Sequence, residues 1–461
     1  MAAPGAAISM TDDWLPDLAK ARAPKYLAIA DALGSAIERR NLSSGDRLPP
    51  QRELAARLGV DLTTVTRAYE TARQRGLIEA RGRAGSFVRG ASPAQIEDAA
   101  RVDTGMNMPP ELPGDMLGRA IRDTIATLLA DGSGLRLQYQ PTGGSAVDRA
   151  AGARLIGRAG VEASDDQIVV AAGAQNALHA IVNAALRPGD AVACGRFVYS
   201  GFKVLAARLG LRLVPLPTID GDVLAAACRS ERIRALYVVP TNDNPTATTL
   251  DATTRQSVAQ AARANDLTVI EDDVYGALCT APAAPIAALA PERTWYVASV
   301  SKTISPALRI AYVRAPDIGG ALRLAADVHE TAIMAPPLNA AMVRTWLDDG
   351  RYDRLVEAMR NEAMRRQALA ADILEGLPYR SHAQGYHLWL PLPAGLDGAE
   401  LADAMRPSGL SVVAGDRFRI ASGADQAVRI SLGGLIEAPR LARALHLIRG
   451  HFDTPRQHPL V

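Results

Sequence analysis

The sequence predicts two folded parts: a large C-terminal α/β domain, with a mostly parallel sheet and helices on both faces, and a small N-terminal unit of helices and a hairpin. Three observations carry this. At 461 residues the chain is too long for one ordinary domain. Its positive charge is concentrated near the N-terminus, and beyond residue 113 apolar runs of strand length alternate with helical stretches. Hydrophobic residues at 48% and charged residues at 22% exclude collagen-like, mucin-like and largely disordered chains. Cys194, Cys228 and Cys279 lie far apart, with no CxxC and no Cys/His pair at zinc spacing. Neither a disulfide framework nor a metal site is therefore expected. Met1 to Asp17 lacks the basic and apolar stretches of a signal peptide, and no apolar run is long enough to span a membrane. The expected location is cytoplasmic, without a membrane partner.

Residues 1–23 read as a flexible tail. The window 24–90 follows, with 12 Lys+Arg against 7 acids. It carries +5, which leaves −3 for the rest of a chain of net charge +2. Tyr26, Ile29, Leu33 and Ile37 recur at helical spacing and form one apolar stripe. After Pro49-Pro50 a short helix carries Leu54 and Leu58 and ends at Gly59. Asp61 is placed to cap a third helix whose Val65, Ala68, Tyr69 and Ala72 face inward. Two strands, Leu77–Ala80 and Ser86–Arg89, flank the basic loop Arg81-Gly82-Arg83-Ala84-Gly85. Helix, turn, helix and basic hairpin make the layout of a winged helix-turn-helix. In that layout the third helix enters the major groove of double-stranded DNA and the wing meets phosphates or the minor groove.

The run from Gly45 to Val88, GDRLPPQRELAARLGVDLTTVTRAYETARQRGLIEARGRAGSFV, resembles the DNA-binding domain of GntR-family transcription regulators. The resemblance implies that Arg52, Thr63, Thr64, Thr66, Arg81 and Gly82 touch DNA. Leu62 stands where family members often have arginine, and a leucine cannot read a guanine edge.

Residues 91–113, rich in Ser, Pro, Gly and acids, read as a linker, and the large domain spans 114–461. Four of its apolar runs end in polar clusters: Ile168–Ala172 in Gly173-Ala174-Gln175-Asn176, Ala235–Val239 in the stretch Asn242 to Thr246, Leu267–Ile270 in Glu271-Asp272-Asp273-Val274-Tyr275, and Trp295–Ala298 in Ser299-Val300-Ser301-Lys302. Ligands of parallel sheets sit at the carboxyl ends of the strands, where all four clusters would fall.

The chain holds only four lysines, Lys20, Lys25, Lys203 and Lys302, so a lysine in such a cluster is informative. A lysine amine forms a Schiff base with an aldehyde, which arginine cannot do. A carboxylate at a strand end holds a pyridinium N–H, tyrosine and asparagine hydrogen-bond a phenolate oxygen, and Ser, Arg and helix N-terminal amides suit a phosphate. Aldehyde, pyridine nitrogen, phenolate and phosphate together describe pyridoxal 5′-phosphate.

From about residue 111 to 461 the chain resembles a fold-type I aminotransferase, through Asn244-Pro245-Thr246, Asp272-Asp273-Val274-Tyr275, Ser299-Val300-Ser301-Lys302 with Arg309, and Arg429-Ile430-Ser431. The resemblance implies that Lys302 forms the internal aldimine and that Asp272 pairs with the pyridine nitrogen. Asn244 and Tyr275 would hold the phenolate oxygen. Ser299, Ser301, Arg309 and the amides at Ala174 and Gln175 would take the phosphate, and Tyr199 would stack on the ring. Arg429 would clamp the α-carboxylate of a substrate or effector. Tyr139 would reach the phosphate of a neighbouring subunit, which implies a homodimer. Asp273 is expected to be a solvated neighbour of Asp272, and the seven histidines to be structural or surface residues. Ala247 replaces the glycine of Asn-Pro-Thr-Gly, and Gly195-Arg196-Phe197 replaces the usual acid and proline before the stacking tyrosine.

A GntR-type head ahead of an aminotransferase-like domain is the arrangement of MocR-type regulators. It implies a PLP-dependent transcription regulator that senses a small amine or amino acid through external aldimine formation. Two other uses fit the same residues. One is a working aminotransferase carrying a DNA-binding domain. The other is a DNA binder whose second half is only a dimerisation scaffold.

Overall fold

The computed structural model describes residues 14–16, 18, 24–38, 42, 46–75, 77–80, 85–88, 105–130 and 137–453. The chain divides into two compact units, Met1–Val102 and Asp103–Val461.

In the first unit the described helices are α1 (Lys25–Glu38), α2 (Gln51–Leu58) and α3 (Leu62–Gln74), followed by strands β1 (Ile78–Ala80) and β2 (Ser86–Val88). The two strands pair antiparallel, Ile78 opposite Val88. Residues 46–48 line β2 on its other side, with Leu48 N–H donating to the Ser86 carbonyl at 2.8 Å and Val88 N–H to the Asp46 carbonyl at 2.9 Å. Of the expected apolar set, Ile29, Leu33, Leu54, Val65, Ala68, Tyr69 and Ala72 are buried in one core with Ile78 and Val88, while Tyr26, Ile37 and Leu58 pack against it half-buried. Trp14 joins that core at 7% exposure, so the stretch expected as a tail contributes an aromatic anchor to the head. Asp61 occupies the cap position of α3 with extended backbone, but its side chain makes no capping hydrogen bond.

The second unit carries α4 (Met116–Ala130), α5 (Ala146–Gly157), β3 (Ile168–Ala171), α6 (Ala174–Ala185), β4 (Ala191–Gly195), α7 (Ser200–Arg208), β5 (Arg212–Leu216), α8 (Gly221–Ser230), β6 (Ile233–Val238), α9 (Ala252–Ala264), β7 (Thr268–Asp272), β8 (Thr294–Ser299), β9 (Ala311–Arg314), α10 (Ile318–Ala332), α11 (Pro337–Asp348), α12 (Arg351–Ile373), β10 (Arg380–Ser381), β11 (His387–Pro391), α13 (Gly398–Met405), β12 (Ser411–Ala414), β13 (Ala427–Ser431) and α14 (Ala438–Asp453), with single-turn helices left unlabelled.

Among the described residues, seven strands form one sheet in the order β3-β9-β8-β7-β6-β4-β5. β5, β4, β6, β7 and β8 run parallel to one another, and β9 runs against both β8 and β3. Successive residues of a strand point to opposite faces, and the cores divide accordingly. Val192, Cys194, Ala235, Tyr237 and Ile270 join one core, while Ala191, Ala193, Leu236, Val238 and Val269 join another. The first core takes apolar residues of α6 and the second those of α8 and α9, so both faces are covered. The expected mostly parallel sheet with helices on both faces is what forms. A smaller antiparallel sheet, β10-β11-β13-β12, packs with α13 and α14 around a third core.

The stretch 105–112, expected as the end of a linker, is part of this second unit. Asn107 is 1% exposed, and Pro110 bridges to Gly434. What draws the segment in is hydrogen bonding to residues distant in sequence, described below.

Candidate functional site

The parallel strands deliver their polar clusters to one end of the sheet. Asp272 is the last residue of β7, Tyr275 follows three residues on, and Ser299 ends β8. Ser299 then caps the single turn Val300–Thr303, accepting from Ser301 N–H at 3.2 Å. That turn holds Lys302 half-buried beside the cleft. Asn244 comes from the loop after β6, and Arg429 from the middle of β13 in the smaller sheet. Arg429 Nη1 donates to Asn244 Oδ1 at 3.0 Å, which ties the two sheets together at the cleft.

Asp272 is 3% exposed. Its Oδ2 accepts from the Tyr237 hydroxyl at 2.9 Å, while its Oδ1 is buried with no partner. Burial pushes the carboxyl up to about 7, against the pull of the Tyr237 hydrogen bond. Burial and the Arg429 charge bring the Lys302 amine down to about 8, with Asp272 opposing. An amine at that value is about one-tenth free base at pH 7, so it is a competent nucleophile.

The turn at Gly173 makes a second feature. Gly173 sits at φ +86° ahead of α6, and a Cβ there would lie 2.6 Å from Arg309 Nη2. Arg309, itself left-handed at φ +51°, donates from Nη2 to the Ala172 carbonyl at 2.9 Å. The guanidinium is therefore held across the N-terminus of α6, where the amides of Ala174 and Gln175 begin the helix. Ser301 Oγ is buried without a partner, as is Gln175 Oε1. Cationic guanidinium, helix N-terminus and serine hydroxyls are a donor set for a phosphate. Tyr199 precedes α7, and its phenol is pushed up by burial and by the Asp272 charge, offset by Arg309 and Arg429. These partners locate it among the same groups. Tyr139 is 81% exposed and lies away from any described contact with them.

Several residues at the cleft escaped the sequence reading. Asn107 donates from Nδ2 to the Tyr275 hydroxyl at 2.9 Å and pairs with His387 Nδ1 at 3.1 Å. Its Oδ1 accepts from Ser431 Oγ at 2.7 Å, and its backbone carbonyl accepts from Lys302 Nζ at 2.5 Å. His387 Nε2 faces the Asp243 carbonyl at 2.9 Å, which fixes the proton on Nε2 and leaves Nδ1 to accept from Asn107. Burial brings this imidazole down to about 3, so it is neutral. Because the Tyr275 oxygen accepts from Asn107, its own proton is available to donate into the cleft. Arg429 Nη2 donates to the Gly105 carbonyl at 2.7 Å. The partners of Asn107 lie 168, 280, 324 and 195 positions away, so no local pattern marks it. His387 stands correctly as a structural histidine, but one that belongs to the site. Asp273 corrects the expectation of a solvated neighbour. It is 7% exposed, accepts from the Tyr296 hydroxyl at 2.7 Å, and is pushed up by burial. Alternation along the chain turns it to the opposite side from Asp272.

On the head, Arg52 and Thr63 are exposed and Thr64 is half-buried. Thr66 is half-buried like Thr64, with its hydroxyl 2.8 Å from Gln51 Oε1 of α2 and 2.9 Å from the Leu62 carbonyl of its own helix. Leu62 is 41% exposed at the start of α3. Arg81 and Gly82 lie outside the described residues.

Comparison with known proteins agrees with this geometry. Residues 25–88 match the family described as bacterial regulatory proteins, gntR family, and residues 107–447 match aminotransferase class I and II. The HTH-type transcriptional regulator YdeF of Bacillus subtilis is 29% identical over 95% of this chain and 97% of its own. The vitamin B6 salvage pathway transcriptional repressor PtsJ of Salmonella typhimurium is 27% identical over 91% of this chain and 97% of its own. Among solved structures, the α-aminoadipate aminotransferase LysN of Thermus thermophilus, complexed with N-(5′-phosphopyridoxyl)-L-leucine, aligns with TM-score 0.67 at 25% identity, over 74% of this chain and 89% of its own. With its match covering most of its length, the chain belongs to the aminotransferase class I and II family, whose members depend on pyridoxal phosphate, and carries a gntR-family regulatory domain ahead of it, as MocR-type regulators do.

Proposed function

We propose that the protein is a DNA-binding transcription regulator whose large unit holds pyridoxal 5′-phosphate and reads a small amine or amino acid. The observation that carries this is the convergence of the half-buried Lys302, whose amine is brought down to about 8, with a buried Asp272 oxygen that has no partner. An unpaired buried carboxylate oxygen is costly unless a ligand satisfies it.

The residues fit the cofactor. Asp272 Oδ1 would accept from the pyridinium N–H, and the pairing would return its carboxyl to the charged form. Tyr275 would donate to the phenolate oxygen, beside Asn244. Arg309, Ser299, Ser301 and the amides at Ala174 and Gln175 would hold the phosphate, with Tyr199 against the ring. When bound, the cofactor supplies an aldehyde that condenses with primary amines. Lys302 would hold that aldehyde, and release its position to an incoming amine. Arg429 would engage the carboxylate of an amino acid. Tyr139 would serve the neighbouring subunit in a homodimer. On the head, Arg52, Thr63 and Thr64 would meet the operator, with Thr66 acting from behind the helix by positioning it.

Two relatives matching this chain over nine-tenths of its length are named as transcriptional regulators, which supports a regulatory use over a metabolic one. The test is a visible-spectrum titration of purified protein with pyridoxal phosphate and then amino acids, with operator binding followed in parallel. A cofactor band that amino acids shift, together with changed DNA affinity, is expected. Sustained keto-acid production at ordinary enzyme rates would instead make the protein a working aminotransferase. Absence of a band after adding the cofactor would leave only a scaffold.

A further inference from the structure

We propose that the large unit carries a second ligand site, behind the cofactor cleft, that takes a small organic cation with an ammonium head and an apolar body. The site is built from its own residues and stands whether or not the cleft binds pyridoxal phosphate.

A cavity of about 380 Å³ is walled by β8, the loop after β7, the end of α5 and the start of α12. That volume falls among small-molecule sites. Of the residues assigned to the cofactor, only Ser299 touches it. The Ser299 hydroxyl is spent on the Ile310 carbonyl at 3.2 Å and the Ser301 amide at 3.2 Å. Asp273 follows Asp272 and Thr303 follows Lys302, and both line this cavity. Its occupant therefore meets the far side of the two segments that present Asp272 and Lys302 to the cleft.

The cavity wall holds two open polar atoms. Asp273 is 7% exposed and Thr303 2%. Asp273 Oδ2 accepts from the Tyr296 hydroxyl at 2.7 Å, but Asp273 Oδ1 and Thr303 Oγ1 are buried with no hydrogen-bond partner. Thr241 and the Gly276 amide act on Asp273, and Thr303 acts on the Tyr352 phenol, yet none of these completes a bond to either open atom. Leu155, Pro285 and Val356 add buried apolar wall.

Charge selects the ligand. At the mouth Arg158 is paired with Asp353 at 2.6 Å. Arg360, balanced by Glu357 one turn away on α12, donates to the carbonyls of Leu278 and Ala277 at 2.7 and 3.2 Å. The charge left over is that of Asp273. Burial pushes its carboxyl up, opposed by Tyr296 and then Arg255. Arg255 is itself committed to the carbonyls of Leu250, Ala283 and Pro240 and to the Thr241 hydroxyl. Glu271 and Asp272, the two preceding residues, are raised by burial and then by the Asp273 charge. Three successive buried carboxyls thus favour a cation over an anion or a neutral guest. An ammonium N–H donated to Asp273 Oδ1 satisfies the open oxygen, and its charge favours the ionised carboxyl. Thr303 Oγ1 is a second acceptor for the same head.

The test is calorimetric titration of the full-length protein, saturated with pyridoxal phosphate, with N,N-dimethylbutylamine. This tertiary amine keeps one N–H when charged and cannot condense with an aldehyde, so the cofactor chemistry cannot account for its binding. It should bind saturably, one per chain, and about tenfold more tightly than 1-hexanol, a neutral chain of similar length. Asp273→Asn should weaken the amine about tenfold and leave hexanol unchanged. Ala277→Trp, at an exposed position of the mouth, should abolish binding of both by closing the cavity. Absence of saturable amine binding overturns the proposal, as does equal affinity for amine and alcohol. Amine binding that survives Ala277→Trp overturns it too, by placing the amine elsewhere, and this variant decides the matter even if Asp273→Asn does not fold. A protein that takes up no cofactor but binds the amine as described loses the reading of the cleft and keeps this site.

Discussion

The Tyr237 hydroxyl stands 2.9 Å from Asp272 Oδ2, the one hydrogen bond that carboxylate accepts among the described residues. It favours the ionised form, against a burial cost that has already brought the group up to about 7. Removing it with Tyr237→Phe should raise Asp272 further and weaken its hold on a pyridinium nitrogen. Hydrogen bonds to charged groups contribute about 1.5 kcal/mol, so cofactor affinity should fall roughly tenfold. An absorbance titration with pyridoxal phosphate measures this, and an unchanged dissociation constant would mean that Asp272 does not meet the ring.

Lys302 should control how fast the cofactor is captured. Its amine, brought down to about 8 by burial and Arg429, becomes free base as pH rises through that value. The rate of band formation after mixing apo-protein with pyridoxal phosphate should climb about tenfold per pH unit below 8 and level off above it. Lys302→Ala should form no protein-bound band while keeping the circular-dichroism spectrum. A rate that stays flat between pH 6 and 9 would show another amine at work.

His387 and Asp272 should give the apo-protein opposed pH responses. The folded imidazole is brought down to about 3 and the unfolded one titrates near 6.5, so only the unfolded chain gains that proton between these values. Stability from His387 therefore falls as pH falls through the window, by about 1.4 kcal/mol per unit. Asp272, raised from 3.8 to about 7, works in reverse, with stability falling as pH rises between the two. His387→Gln, which can still donate to the Asp243 carbonyl, should leave a urea midpoint that declines from pH 4.5 to 6.5. If the variant follows the parent's pH profile, the imidazole is not buried neutral.

For the head, Arg52→Ala should weaken operator affinity and lower the slope of log K against log salt by about one. Thr63→Ala should act on operator affinity too. Thr66→Val should behave differently: losing the bond to Gln51 should lower head stability by about 1 kcal/mol and leave the ranking of operator sequences unchanged. Fluorescence anisotropy over a salt series, with thermal melts alongside, separates the two behaviours.

The polar groups gathered at the strand ends were readable because each belongs to a local rule. Buried parallel strands read as apolar runs, and the chain must leave each strand at its carboxyl end, so Asp272, Ser299 and Lys302 are assigned to one edge by the sequence itself. The inward set of the head was equally legible from helical spacing. Asp273 was misjudged because its burial comes from Tyr296 on the next strand, a cross-strand contact that adjacency to Asp272 conceals. The tie from Thr66 to Gln51 was not legible, because helical spacing gives a direction but not the partner waiting there.

What the sequence determined alone was the class of each element and the chemistry at the strand ends, since periodicity and residue type act over a few positions. What tertiary structure decided was the closure of the cleft. Asn107, Gly105, His387 and Tyr237 reach it from segments far apart in the chain, and hydrogen bonds formed across such separations leave no periodic trace in the sequence. Their positions follow from how two sheets and a strap pack, which is settled only when the whole core is buried.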